Sequence, residues 1–325
     1  MDLAKFNFEP SVITDFMQSA IIDIGDELQL CVEVGGNPDH PPLLLIMGLG
    51  SQLVFWPDSF VKGLIDAGFF VIRFDNRDIG LSSKIARPFP RFPINNVKMM
   101  LRMQVGLTNR HFPVAYNLFD MVEDTRRLLD KLALNNVYVV GASMGGMIAQ
   151  HIAARHAARV RSLTLMSTSS GRLGLPLPSA SVLKLMLSRP SSRISLDAAI
   201  DYWVRLFELI GSPAYPMPRD EMVRRADASL RRAPTGTGVA RQLAAILGDG
   251  DRTPLLRRLD APTLILHGTD DAMVPLAHGH DLARVIPGAR LHTLRGWGHD
   301  LPEALSAEFA ALIAEHARVR AVSLG

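Results

Sequence analysis

Gly141-Ala142-Ser143-Met144-Gly145-Gly146 follows the apolar run Val137-Tyr138-Val139-Val140 and opens a helical pattern over 145–157. A serine framed by glycines between a strand and a helix is a constellation for nucleophilic chemistry. The turn is too tight for side chains on either flank, and it lifts the hydroxyl to the edge of the sheet. The following helix N-terminus favours negative charge developing there. A helix-capping serine in a glycine-rich turn is the plainer alternative. As a nucleophile the hydroxyl needs a base, and the base needs an acid to orient it.

The candidate base is His299, in Gly296-Trp297-Gly298-His299-Asp300-Leu301-Pro302, a loop just after the candidate strand Arg290-Leu291-His292-Thr293-Leu294. Competing histidines sit less well. His292 lies inside that strand, His278 and His280 start a helix, and His267 ends a buried strand as a core histidine. The acid should follow the strand Thr263-Leu264-Ile265-Leu266-His267, where Asp270 and Asp271 stand; Asp271 is favoured over its neighbour. After Leu163-Thr164-Leu165-Met166 come only Ser167-Thr168-Ser169-Ser170, which offer no carboxylate. An oxyanion would need two preorganised donors. The Met144 amide is one, and the loop Met47-Gly48-Leu49-Gly50 supplies the other, with the Leu49 amide preferred.

The elements that must position these groups show in the apolar pattern. Residues 20–24 and 29–34 alternate polar and apolar around the turn dipeptide Gly25-Asp26, as a hairpin does. Runs at 43–47, 69–74, 137–140, 163–166 and 263–267 are mainly apolar, the pattern of strands buried on both faces. Helical patterns at about 58–67, 117–133, 145–157, 276–285 and 303–318 alternate with them, which implies right-handed βαβ crossovers and a doubly wound α/β sheet. Two stretches break the rhythm: 82–116, and a block of amphipathic helices at 172–255 with two Pro-rich breaks. The expected organisation is therefore a core of 1–171 and 256–325 with a helical cap, 172–255, inserted over the carboxyl edge of the sheet. Ligands bind at that edge in open α/β sheets.

Composition narrows the functional classes. The chain has 325 residues, 48% hydrophobic and 21% charged, enough apolar material for a sizeable core without a staple. The single cysteine, Cys31, allows no intramolecular bridge and fits a reducing compartment, so a cytoplasmic location is expected. No apolar run reaches 18 residues, and the N-terminus, with Asp2, Glu9 and Asp15, does not read as a secretory signal; no membrane span is expected. Net charge is +3. Between Arg172 and Arg258, 14 basic residues face 8 acidic ones, a local +6 that leaves −3 for the rest. The basic residues recur at helical spacing without aromatic interleaving, which argues for a solvated helical face and against nucleic acid as a partner.

The motifs together resemble the α/β-hydrolase superfamily over nearly the whole length. Within it they resemble small-ester esterases similar to aclacinomycin methylesterase. The residues that carry the likeness are Ile46 to Gly50 with Trp56-Pro57, Arg73 to Ser82, Gly141 to Gly146, Gly238-Val239-Ala240-Arg241-Gln242-Leu243, His267 to Pro275 and Gly298 to Pro302. The resemblance implies Ser143 as nucleophile, Asp271 as acid and His299 as base, in agreement with the spacing. Many members carry His-Gly in the oxyanion loop where this chain has Met47-Gly48, a form also met among the resembled esterases. Asp75 and Arg77 are expected to brace that loop.

The expected activity is hydrolysis of a small-molecule carboxylic ester through an acyl-enzyme, needing no metal and no cofactor. Same-fold acyl transfer, perhydrolysis or carbon–carbon bond hydrolysis would use the same triad. A non-catalytic binding module would usually have lost a triad member, and none is missing. Trp56, Phe89, Phe92, Met99, Met103, Trp203 and Phe207 are candidate pocket walls, each with cap-core packing as the competing role. Together they suggest small to medium apolar esters. The sequence gives no oligomeric state.

Overall fold

A computed structural model describes residues 3–85, 98–102, 107, 109, 111–187, 195–234 and 236–319. Nine strands form one sheet: β1 (Glu9–Pro10), β2 (Met17–Gly25), β3 (Leu28–Gly35), β4 (Pro42–Ile46), β5 (Phe70–Phe74), β6 (Val137–Ala142), β7 (Val160–Met166), β8 (Thr263–Gly268) and β9 (Arg290–Leu294). Their order is β1-β2-β3-β5-β4-β6-β7-β8-β9. The first three pair antiparallel with one another and β3 pairs antiparallel with β5; every later pairing is parallel. The two-residue β1 was not anticipated: it is exposed and too short to show an alternation.

Side chains alternate across the parallel strands and build two cores. Leu44, Ile46, Ile72, Val139, Leu163 and Ile265 face helices α2 (Leu118–Lys131), α3 (Met144–Arg155) and α9 (Ala277–Val285). Leu43, Leu45, Val71, Val140, Leu264 and Leu266 face α1 (Asp58–Asp66) and α10 (Ser306–Val319). Burial on both faces is why these strands read as unbroken apolar runs. Asn117 caps α2 through a reciprocal pair with Asp120, which ends the helical pattern one residue short of the expected start. The expected helix at 303–318 opens as a 3-10 turn, Glu303–Leu305, before α10.

Between β7 and β8 lie α4 (Ala180–Leu187), α5 (Leu196–Ile210), α6 (Arg219–Arg232), α7 (Gly238–Asp249) and the short α8 (Thr253–Leu256). Helices α5 and α6 share a small apolar core of Trp203, Ala226 and Leu230. Strand order reverses at β4: β5 lies on one side of it and β6 on the other. A crevice outside the carboxyl ends of β4 and β6 follows from that reversal. The Gly48 turn leaves β4 there, and Ser143 leaves β6 there.

Candidate active site

Ser143 holds φ 53° and ψ −120°, a conformation that non-glycine residues adopt only when their surroundings enforce it. Its amide donates to the Met166 carbonyl (2.9 Å), and its carbonyl accepts from the Thr168 hydroxyl (2.6 Å). Close approach of backbones completes the enforcement: a Cβ on Gly145 would stand 1.9 Å from the Ile46 carbonyl oxygen. Helix α3 therefore begins pressed against the end of β4, with the Ser143 hydroxyl at its N-terminal end.

Three of the residues singled out from the sequence meet in one line. His299 Nε2 lies 3.1 Å from Ser143 Oγ, and His299 Nδ1 lies 2.8 Å from Asp271 Oδ2. With Nδ1–H donating to the carboxylate, Nε2 is left as an acceptor for the serine proton. Asp271 is buried, and its Oδ1 accepts from the Met273 and Val274 amides (2.9 and 2.7 Å). Asp270, next to it, is exposed and accepts instead from the Thr269 hydroxyl and the Gly296 amide.

The other histidines are accounted for by neighbours outside this line. His267 is fully buried, donates from Nε2 to the Val274 carbonyl (2.7 Å), and has its pKa lowered by burial, so it stays neutral beside Asp271. His278 bridges the Ser169 hydroxyl and the Pro176 carbonyl (2.7 and 2.8 Å), its pKa also lowered by burial. His280 is exposed, and His292 lies 3.8 Å from Glu308 on the edge strand.

The loop that carries His299 is clasped by the turn after α5. The His299 amide donates to the Ile210 carbonyl (2.7 Å), the Gly298 amide to the Ser212 hydroxyl (2.9 Å), and the Ala214 amide to the Gly296 carbonyl (3.1 Å). Ser212 in turn donates to Asp300, whose pKa is raised by burial, while the Asp300 carbonyl accepts from Trp297 Nε1 (2.7 Å).

On the opposite flank, Gly48 passes so near Ser143 that a Cβ on it would lie 3.0 Å from Ser143 Cβ. Asn76 Nδ2 donates to the Met47 carbonyl (3.0 Å), and Gln242 Oε1 accepts from the Gly50 amide (2.9 Å). Asp75 is buried and accepts from the Leu53 and Leu81 amides (2.7 and 2.9 Å) and from Arg232 (2.7 Å); Arg77 is paired with Asp124. Both residues thus face partners within the scaffold. Among the described residues no cluster of three or more His, Cys, Asp or Glu could hold a metal ion.

The candidate wall residues are placed differently. Trp56 has no exposed surface: just after the 3-10 turn Leu53–Phe55, it packs on Phe60 (centroids 5.4 Å) in the core beneath α1 and α10. It has no face to offer a ligand. Met99 is equally buried, its carbonyl held by Asn109. Trp203 and Phe207 pack on Phe55 (centroids 6.0 and 5.9 Å), forming the contact between α5 and the turn after β4. Phe89, Phe92 and Met103 lie outside the described residues.

Sequence reasoning passed over Thr168, Asn76 and Ser212. Asn76 and Gln242 stood inside quoted motifs but with no role given. Ser212 sits in a Pro-rich break with no periodicity to mark it, so only the folded contacts reveal it.

A mostly parallel sheet with a strained serine after β6, an acid turn after β8 and a histidine loop after β9 defines the α/β-hydrolase class. The chain belongs to the alpha/beta hydrolase fold family, whose model matches residues 41–303, and it is a hydrolase of the carboxylesterase type. It is 29% identical to rhodomycin D methylesterase DnrP of Streptomyces peucetius over 314 residues, covering 91% of this chain and 97% of the relative. It is 31% identical to a poly(3-hydroxyalkanoate) depolymerase of Ectopseudomonas oleovorans, covering 80% and 78%. In fold it is similar to an enol-lactonase from Burkholderia xenovorans LB400, with a TM-score of 0.69 at 22% identity, covering 90% of this chain and 98% of that one. No helix among the described residues is long and apolar enough to cross a membrane.

Proposed function

We propose that this chain is a serine-dependent carboxylic ester hydrolase with Ser143 as nucleophile, His299 as general base and acid, and Asp271 as the orienting carboxylate. The observation that carries the reading is the unbroken line Ser143–His299–Asp271 behind a serine held at positive φ. Ser143 Oγ attacks the ester carbonyl while its proton passes to His299 Nε2. The tetrahedral intermediate collapses, the bond to the alcohol oxygen breaks, and His299 returns the proton to the departing alcohol. A water molecule, deprotonated by the same nitrogen, then attacks the acyl-serine; the carboxylic acid leaves and the serine regains its proton. Throughout, Asp271 stabilises the imidazolium and keeps the tautomer that leaves Nε2 free to accept.

The oxyanion donors in this reading are the Met144 and Leu49 amides. Met144 occupies the first helical position, whose N–H has no intrahelical acceptor. In the Gly48–Ser51 turn the Gly50 and Ser51 amides are engaged, whereas that of Leu49 has no acceptor among the described residues.

The charge distribution favours a neutral substrate. The inward-facing guanidiniums of the helical segment, Arg232, Arg241 and Arg252, are paired with Asp75, Asp78 and Asp249. Arg232 and Arg241 thus dock the segment onto the core, and among the described residues all three of these guanidiniums are neutralised rather than left to attract a carboxylate. In this reading residues 172–255 act as a cap, and neutral apolar esters enter between it and the sheet. The similarity to a methylesterase makes methyl esters of bulky acids the first natural class to try. Initial rates on p-nitrophenyl esters from acetate to palmitate, and on methyl esters, test the proposal. Turnover that Ser143→Ala abolishes supports it; full activity in that variant overturns it.

A further inference from the structure

The motif Gly238-Val239-Ala240-Arg241-Gln242-Leu243 contributes no group to the triad, yet two of its side chains, Val239 and Gln242, meet on the turn beside Ser143. That turn, Gly48-Leu49-Gly50-Ser51, closes with the Ser51 amide donating to the Gly48 carbonyl (3.3 Å) and carries Gly50 at φ +70°. A glycine at positive φ in the third position is the signature of a type II turn. Type I and type II differ by a flip of the central peptide, here Leu49–Gly50, so whatever holds the Gly50 N–H selects between them.

Gln242 holds it. Its side chain is fully buried, its Oε1 accepts from the Gly50 amide (2.9 Å), and its Nε2 donates to the Arg77 carbonyl (3.0 Å). Both ends of the amide are satisfied, so it cannot turn over without breaking two hydrogen bonds. The residue before it, Arg241, forks onto Asp78 (2.8 and 2.6 Å), and Val239 packs so tightly that a Cβ on Gly50 would lie 3.0 Å from it.

We propose that Gln242 is a positioning residue for the oxyanion donor: by anchoring the Gly50 N–H it holds the turn, and with it the adjoining Gly48–Leu49 peptide whose N–H is the donor, in place relative to Ser143. This rests on the reading of Leu49 as an oxyanion donor. Helix α7 therefore reaches into catalysis without touching substrate. Without the Gln242 acceptor the Gly50 N–H is left buried and unpaired, the turn rearranges to find it a partner, and the adjoining Gly48–Leu49 peptide, whose N–H should meet the developing charge, is displaced with it. Displacements of this order cost up to about 100-fold in rate, and losing a donor altogether costs about 10²–10³.

The test compares Gln242→Met with Arg241→Lys and the wild type. Active sites are counted by end-point release of p-nitrophenol from diethyl p-nitrophenyl phosphate. Gln242→Met should lose about 10- to 100-fold in kcat per titrated site with KM within about 2-fold. An aryl trifluoromethyl ketone, whose adduct with serine places an oxyanion in the hole, should lose affinity by a factor parallel to the loss in kcat/KM. Arg241→Lys loosens the same helix and should lower Tm while leaving kcat per site unchanged. Wild-type kcat per site and ketone affinity in a folded Gln242→Met would overturn the proposal, as would equal losses per site in both variants. Should Gln242→Met fail to fold, amide NMR of the wild type with the ketone decides: the Leu49 proton should move strongly downfield and the Gly50 proton should stay. A shift at Gly50 and none at Leu49 overturns it. A wild type that the phosphate does not titrate overturns instead the serine-hydrolase reading, and this inference with it.

Discussion

The nucleophile turn and the two arms that flank it are held by different kinds of force. Residues 141–146 are fixed by contacts with the neighbouring strand ends: glycine against the Ile46 carbonyl, and Ser143 against Met166 and Thr168. The Gly48–Ser51 turn and the His299 loop are held by groups from the helical segment, Gln242 on one side and Ile210, Ser212 and Ala214 on the other. In sequence those partners are 192 positions from Gly50 and 86 from Gly298. In the proposed mechanism the nucleophile is therefore a property of the sheet, whereas the groups that would make it productive depend on the docked helices.

The largest effect should come from attacking the turn itself. Gly145→Ala places a Cβ 1.9 Å from a carbonyl oxygen of β4, which cannot yield because it is part of the sheet. The expected result is loss of the folded enzyme, read by circular dichroism and by activity together. A folded, active Gly145→Ala would show that the turn has slack that its contacts deny. Next, Asp271→Asn should keep the fold and lose about 10⁴-fold in kcat, because the wrong imidazole tautomer becomes the stable one. Steady-state kinetics on a p-nitrophenyl ester read this directly.

Ser212→Ala probes the helical arm. It removes the acceptor of the Gly298 amide and the donor to the half-buried Asp300, so the His299 loop loses two of its ties. About a 10-fold fall in kcat with little change in KM is expected from misplacement of His299. Unchanged kcat would mean that the loop holds its place without the helices, and the contrast between the two regions would dissolve.

The smallest effect concerns stability alone. Burial opposes ionisation of Asp249, but Arg252 and His151 outweigh it and hold its pKa at about 2, below its ordinary 3.8. The depressed value means stability is present above pH 3.8 and lost as pH falls through about 2. The shift corresponds to about 2 kcal/mol. Asp249 ties α3, which follows the nucleophile, to the end of α7. Asp249→Asn should therefore flatten the acid limb of chemical-denaturation curves between pH 4 and 2 while sparing activity at neutral pH.

The same division explains what was legible in the sequence. Buried parallel strands announce themselves as apolar runs, and the glycine-framed serine is a local signal, so β4 to β8 and Ser143 could be read directly. His299 and Asp271 could be read because each follows a recognisable strand. Trp56 could not be placed, since an aromatic residue beside a site motif looks the same whether its ring faces the crevice or, as here, Phe60 in the core. Nor could Ser212, a small polar residue in a Pro-rich break whose role exists only through its contacts with Gly298 and Asp300. Local patterns reveal what local forces fix; the helical segment acts through long-range contacts that leave no periodicity.

The central claim, that Ser143 is the nucleophile, is tested most directly by covalent labelling. The enzyme would be treated with a p-nitrophenyl alkylphosphonate and digested, and the modified peptide identified by mass spectrometry. The account predicts one label per chain, on Ser143, absent from His299→Ala. Ser169, whose hydroxyl also meets a histidine, His278, but with a backbone carbonyl in place of a carboxylate behind it, should remain unlabelled. Labelling of Ser169 in place of Ser143, or full ester turnover by Ser143→Ala, would contradict it.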